Sequence, residues 1–196
     1  EFRRVLFRSL LVENRKVENY VDMALYYARM DAVYKDYMIA ESNLQEVAQQ
    51  VLLQNKYYLI QSHVKAEVAC PDTVYSDKKW IAFILNQLIQ NSVKYGRSEG
   101  THIQIVTKKT KSGVLLRVKD DGIGIPKEEI PRIFEKGFTG TNGRNRERST
   151  GMGLYLCRKL CDKLNIEIRA ESAEGKGTEI ILMFPVSDYL TGYRET

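Results

Sequence analysis

With 196 residues, 43% of them hydrophobic, the chain can close one ordinary core and carry a smaller appendage. Its net charge of +5 comes from interspersed acids and bases, which argues against a dedicated nucleic-acid binder. No apolar run reaches the roughly 18 residues that a bilayer span needs, so the piece is expected to be soluble.

Residues 1–9 are basic and mixed, lack the apolar core of a secretory signal, and are set apart as a junction or cloning scar. From Leu10 to about Tyr37, apolar residues recur with a helical period at Leu11, Val17, Tyr20, Val21, Ala24, Leu25, Ala28 and Ala32. No glycine or proline interrupts them. One long amphipathic helix is predicted, which either packs on the rest of the domain or pairs with a second helix absent from this chain.

A short strand is expected around Tyr37 to Glu41. Ser42 then stands three residues before Gln45, the spacing of a capping box, and opens a helix running to about Ser62. His63 to Ala69 alternates as a strand, Pro71 ends it, and Ser76-Asp77 caps a helix over Lys78 to Tyr95. His102 to Lys108 and Val114 to Lys119 read as neighbouring strands joined at Ser112-Gly113.

Residues 121–150 differ in kind, being rich in glycine and proline up to Gly143 and then polar and basic through Arg148. A loop of that length is functional or disordered. A helix from Met152 to Leu164 and strands at Ile166 to Glu171 and Thr178 to Pro185 close the domain. The order is mixed α/β, with helices stacked on one face of a sheet. Three cysteines, Cys70, Cys157 and Cys161, form no C-x-x-C pair, which indicates neither a disulfide framework nor a structural zinc site and fits a reducing cytoplasm.

Three segments carry candidate chemistry. Gln87, Asn91 and Lys94 are four and three apart and share one helical stripe beside the apolar face of Ile81, Ile84, Leu85 and Leu88. An Asn oxygen suits Mg²⁺, a hard cation, and a lysine can neutralise phosphate. Taken alone, the stripe also reads as a solvated helix face. Asp120-Asp121-Gly122-Ile123-Gly124 places acids at a strand end before two glycines; a carboxylate there can accept from an exocyclic amine such as adenine's, though D-G is also a common hairpin turn. Ser149-Thr150-Gly151-Met152-Gly153-Leu154 leads a glycine-bearing loop into a helix, whose free N–H groups and dipole hold anions. It matches neither a P-loop nor a dinucleotide fingerprint. Between them, Lys136, Arg144, Arg146 and Arg148 against Glu147 give the loop a net charge of +3, suited to a lid over a triphosphate.

In this order, the segments resemble the ATP-binding domain shared by histidine kinases, type II topoisomerases, MutL-type repair proteins and the ninety-kilodalton heat-shock chaperones. Asn86 to Tyr95 looks like the kinase asparagine box, Asp120 to Gly124 the first glycine box, Phe134 to Phe138 the phenylalanine box and Gly151 to Leu154 the second glycine box. The resemblance covers residues 38–187 and implies an α/β sandwich of the Bergerat type, a mixed sheet with helices on one face, preceded by one long helix. Residues 10–37 would be the second helix of a dimerisation hairpin, and residues 188–196 a tail.

Position by position, the resemblance implies that Asn91 ligates Mg²⁺, Lys94 contacts phosphate, Tyr95 borders the nucleotide and Asp120 binds the adenine amine. Gly122 and Gly124 would shape that wall, Gly151, Gly153 and Leu154 would offer backbone to the phosphates, and Thr178 would support the adenine site. Arg148 is the candidate for the γ-phosphate. Ser149 and Tyr155 stand where the second glycine box usually has glycines.

ATP-hydrolysing members of this superfamily resemble one another in a glutamate one turn before the asparagine, as general base. Here the position is Gln87, and an amide cannot accept a proton at neutral pH, which favours a kinase over an ATPase. The stretches Leu25 to Arg29 and Val74 to Trp80 look like sensor kinases of Gram-positive bacteria that work beside peptide-antibiotic transporters. The resemblance thus implies ATP and Mg²⁺ as cofactors, a response regulator and the missing phosphoacceptor hairpin as partners, a homodimer in the full-length protein, and a cytoplasmic domain of a membrane-anchored protein. His63 and His102 read as ordinary histidines of the ATP domain, so the phosphorylated histidine is expected elsewhere. The competing readings are a non-catalytic nucleotide-binding module and a serine kinase of the anti-sigma type.

Overall fold

The computed structural model describes residues 10, 13–14, 17–18, 20–21, 23–28, 38–141 and 150–186. The described residues between 10 and 28 are helical (α1); the predicted continuation to Tyr37 lies outside the described residues, as do the junction at 1–9 and the tail from 188. Then follow β1 (Ala40–Asn43), α2 (Leu44–Gln54), α3 (Lys56–Gln61), β2 (Val64–Ala69), β3 (Thr73–Ser76) and α4 (Lys78–Lys94). The second half holds β4 (Thr101–Thr110), β5 (Gly113–Asp120), a 3-10 turn at Ile130–Arg132, α5 (Gly153–Lys163), β6 (Glu167–Ala173) and β7 (Gly177–Pro185).

Five strands form one sheet in the order β2-β4-β5-β7-β6, parallel between β2 and β4 and antiparallel elsewhere. A parallel pair cannot be joined by a hairpin, and β3 with α4 supply the crossover. Period-two alternation turns Ile103 and Ile105 of β4, Val114, Leu116 and Val118 of β5, and Ile180, Leu182 and Phe184 of β7 into the core. Against that face lie α2, α4 and α5, contributing Leu44, Val47, Val51, Ile81, Ile84, Leu85, Leu88, Leu156 and Leu160. On a partner face of the sheet, Arg117 Nη2 donates to Glu179 Oε2 at 2.8 Å. The mixed sheet with helices on one face is the architecture expected from the sequence.

Two local expectations fail for identifiable reasons. Ser42 does not cap α2: it belongs to β1, paired with Val74, and its hydroxyl donates to Ser76 O at 3.2 Å. The cap is Asn43, whose Oδ1 accepts from Glu46 N at 3.1 Å, while Gln45 Oε1 accepts from Cys70 N at 2.8 Å instead of closing a box. The helix predicted to reach Ser62 is broken at Asn55, whose Nδ2 donates to both Val51 O and Asn86 Oδ1 at 2.8 Å. Strand β3 was not anticipated; it forms because Thr73 to Ser76 pair with β1 just before the cap of α4.

That cap is Asp77, as the sequence predicts: Oδ1 accepts from Lys79 N at 2.9 Å, and Oδ2 from Met38 N at 2.9 Å, so one carboxylate starts α4 and anchors the chain entering β1. Helix α1 rests on α4 through Tyr26, whose ring centroid lies 4.8 Å from that of Trp80 and 4.4 Å from that of Phe83. All three cysteines are buried and unpaired. Burial pushes the Cys70 thiol up to about 11 and that of Cys161 to about 12, and raises Cys157 well above the ordinary range.

Candidate nucleotide-binding site

Helix α4 forms the common wall of two adjoining clefts. Its Leu88, Asn91, Ser92 and Tyr95 line an apolar cleft of about 780 Å³ together with Val118, Asp120, Ile125, Phe138, Thr178 and Ile180. Its Gln87, Gln90, Asn91, Lys94 and Tyr95 line a more polar one of about 860 Å³, completed by Tyr20 and Met23 of α1 and by Thr150, Gly151, Gly153 and Leu154. Asn91, Tyr95, Ile133, Phe138 and Leu154 border both. A largely apolar cleft with a few directed polar groups is the form of a small-molecule site.

Asp120 ends β5 and is the single carboxylate of the apolar cleft apart from Glu129. Its Oδ1 accepts from Gly122 N at 3.0 Å and Thr178 N at 3.1 Å, and its Oδ2 from Ser92 Oγ at 2.8 Å. Hydrogen bonds to a charged group are each worth roughly 1.5–3 kcal/mol, yet desolvation of a carboxylate costs several. Burial prevails here, raising the Asp120 carboxyl above the ordinary range against the opposing pull of Ser92, Gly122 and Thr178. Two lone pairs of Oδ1 are used and one of Oδ2, leaving one acceptor site on the carboxylate.

The glycines beside it are spatial requirements. At Gly124, φ is +71° and a Cβ would collide with Ala173 O. Gly122 stands where a Cβ would lie 2.6 Å from Tyr95 O, the acceptor of Ile123 N at 3.0 Å. Arg97 braces the same wall, with Nε donating to Asp121 O at 2.7 Å and Nη2 to Gly175 O at 2.5 Å.

At the polar cleft, α5 starts at Gly153, and its cap residue Met152 makes no side-chain cap bond, unlike Asn43 of α2 and Asp77 of α4. A Cβ on Gly153 would lie 2.9 Å from Gln87 Oε1, so the glycine admits the Gln87 carboxamide beside the helix start. Gln87 is only 5% exposed, and its Nε2, like that of Gln90, is buried without a hydrogen-bond partner among the described residues. A buried donor without a partner costs about 1–3 kcal/mol, a cost that a water or a ligand in the cleft offsets. Gly137 N donates to Gly151 O at 3.1 Å, tying the phenylalanine-box loop to this start.

The structure therefore brings Gln87, Asn91, Lys94, Tyr95, Asp120, Gly124, Gly151, Gly153, Leu154 and Thr178 to the walls of the paired clefts, with Gly122 directly behind Asp120. Arg148 and Ser149 lie outside the described residues. Sequence reasoning missed Ser92 and the roof residues Tyr20 and Met23. Ser92 carried a signal, a hydroxyl on the buried side of a helix; the roof did not, because it depends on where α1 docks.

A mixed sheet under helices, with a carboxylate in an apolar cleft that opens onto an uncapped glycine-rich helix start, defines an ATP-binding α/β sandwich of the Bergerat type. Residues 76–188 match the family described as histidine kinase-, DNA gyrase B-, and HSP90-like ATPase, and the chain belongs to it. It is 34% identical over 181 residues to the sensor histidine kinase YxdK of Bacillus subtilis (strain 168), covering 91% of this chain and 56% of that protein. To the sensor protein kinase GraS of Staphylococcus aureus (strain JH1) it is 36% identical over 186 residues, covering 92% of this chain and 52% of that protein. The chain thus spans about half the length of these relatives. Among solved structures, the catalytic domain of histidine kinase ThkA superposes with a TM-score of 0.65 at 26% identity, covering 76% of this chain and 97% of that one.

Proposed function

We propose that this chain is the ATP-binding catalytic portion of a two-component sensor histidine kinase, holding ATP with Mg²⁺ for phosphoryl transfer to a histidine outside this sequence. The reading is carried by the junction of the two clefts at Asn91: a carboxylate, Asp120, suited to reading an amine on one side, and on the other a helix start and a buried amide that both lack side-chain partners among the described residues.

ATP bound there supplies the phosphoryl group. Leu88, Val118, Ile125 and Ile180 exclude water around the base, and Asp120 accepts from its amine, with Thr178 beside it. The α5 start at Gly153 and Leu154, entered through Gly151, donates to phosphate oxygens, Lys94 neutralises their charge, and Asn91 offers its oxygen to Mg²⁺. Tyr95 borders both parts, and Gly122 and Gly124 keep the base wall close; Arg148, outside the described residues, is the residue proposed for the γ-phosphate. The Gln87 amide cannot take a proton from water, which preserves the phosphoryl group for a better nucleophile. Neither His63 nor His102 lines either cleft, in keeping with an acceptor elsewhere.

A helix packed on α4 by Tyr26 while Val17, Val21 and Leu25 stay exposed supports α1 as the second helix of a dimerisation hairpin, a feature an anti-sigma-type serine kinase does not need. The proposed setting is the cytoplasmic part of a membrane-anchored homodimer serving a response regulator; the similar kinase ThkA has been solved with response regulator protein TrrA.

The test is ATP affinity with and without Mg²⁺. Wild type binds more tightly with the metal, and Asn91→Ala loses that increment; equal affinity for both proteins in both conditions overturns the reading.

A further inference from the structure

Behind the base-reading wall lies a hydroxyl relay. Ser172 of β6 and Thr178 of β7 face each other across the antiparallel pair, with Oγ to Oγ1 at 3.0 Å. Ser172 Oγ also accepts from Ile125 N at 2.9 Å and approaches Gly177 O at 2.7 Å. A hydroxyl has one proton, and two oxygens 2.7 Å apart repel unless a proton lies between them. The Ser172 proton is therefore committed to Gly177 O. With Ile125 N filling one lone pair, the remaining lone pair of Ser172 takes the Thr178 proton. That turns the Thr178 hydroxyl's acceptor side toward the cleft it lines.

The same direction holds at Asp120. Ser92 gives its proton to Oδ2 at 2.8 Å, while the backbone N–H of Gly122 and Thr178 occupy Oδ1. Every proton in the relay points away from the cleft, and what faces the base is a carboxylate lone pair and a hydroxyl lone pair.

We infer that Ser172 is a positioning residue for base specificity: by fixing the Thr178 proton it makes this wall an acceptor-only surface, selecting a 6-amino purine nucleotide and rejecting a 6-oxo one. The inference rests on the nucleotide reading of the cleft. It explains why a serine that does not line the cleft is saturated with three hydrogen bonds. Free of Ser172, the Thr178 hydroxyl rotates, donates to an oxo group, and the discrimination falls.

The experiment measures equilibrium affinity for ATP and for ITP, which differs in carrying the 6-oxo group, on the whole chain. Wild type prefers ATP by at least tenfold. Ser172→Ala lowers the ATP-to-ITP ratio about fivefold, the worth of one hydrogen bond, and Ser172→Thr restores it. Thr178→Val, which keeps the backbone N–H to Asp120 but removes the hydroxyl, lowers the ratio as well and serves if Ser172→Ala does not fold. Retained ATP binding with an unchanged ratio in these variants overturns the inference while leaving the nucleotide site intact. A wild type that binds neither nucleotide overturns both.

Discussion

At the scale of single residues, the proposed base site depends on how a buried carboxylate is kept available as an acceptor. Because the Asp120 pKa is raised in the folded chain, the folded state holds its proton to higher pH than the unfolded chain does. Two consequences follow with definite sign. Stability contributed by the protonated form is present below the ordinary aspartate range and declines as pH rises toward the raised folded value. ATP affinity runs the other way, falling as acid protonates the acceptor, with a midpoint above the ordinary aspartate range. Calorimetric titration of ATP across acidic pH checks this; a pH-independent affinity would remove Asp120 from the base site. Asp120→Asn is expected to weaken ATP binding about tenfold to a hundredfold, since a hydrogen bond to a charged group is worth roughly 1.5–3 kcal/mol. The acid itself was legible in the sequence, at a strand end before glycines. Of its distant donors, Thr178, 58 residues away, was reached only through the family resemblance, and Ser92, 28 residues away, was missed, because the register of β5 and β7 and the docking of α4 create these contacts.

Among elements, α4 was the most legible, because its cap, apolar face and polar stripe all follow from residues within 17 positions. The strands with clean alternation, β4, β5 and β7, were equally readable. The failures, the Ser42 cap, the unbroken helix to Ser62 and the missing β3, share a cause: partners distant in sequence compete with local propensity, as Ser76 does for Ser42 and Asn86 for Asn55. Helix α1 illustrates the same limit, since its period was visible while its seat against Trp80 and Phe83 was not. Removing that seat with Tyr26→Ala costs two aromatic contacts, about 2 kcal/mol. The variant is expected to speed proteolysis within α1 while the thermal midpoint of the sheet domain stays near wild type. An unchanged cleavage rate would mean that α1 is held by other contacts.

For the whole molecule, the proposed function makes this chain the ATP-holding side of a phosphoryl transfer and puts the acceptor histidine on another segment. Incubated alone with γ-labelled ATP, the chain is expected to carry no label. Supplied with a separate dimerisation hairpin, it is expected to transfer an acid-labile phosphate to that hairpin. Label on His63 or His102 would contradict the assignment, and tight ATP binding without transfer would make the chain a nucleotide-binding module.

The three buried thiols give this fold a built-in clock. With Cys70 at about 11, Cys161 at about 12 and Cys157 fully enclosed, none is reactive toward a disulfide reagent while the core is closed. They sit on β-side and helix-side walls of one core, so modification in native buffer should count openings of that core, and saturating ATP should slow all three together. A cysteine placed by design on the surface would then take a spectroscopic label alone, with no native thiol to remove.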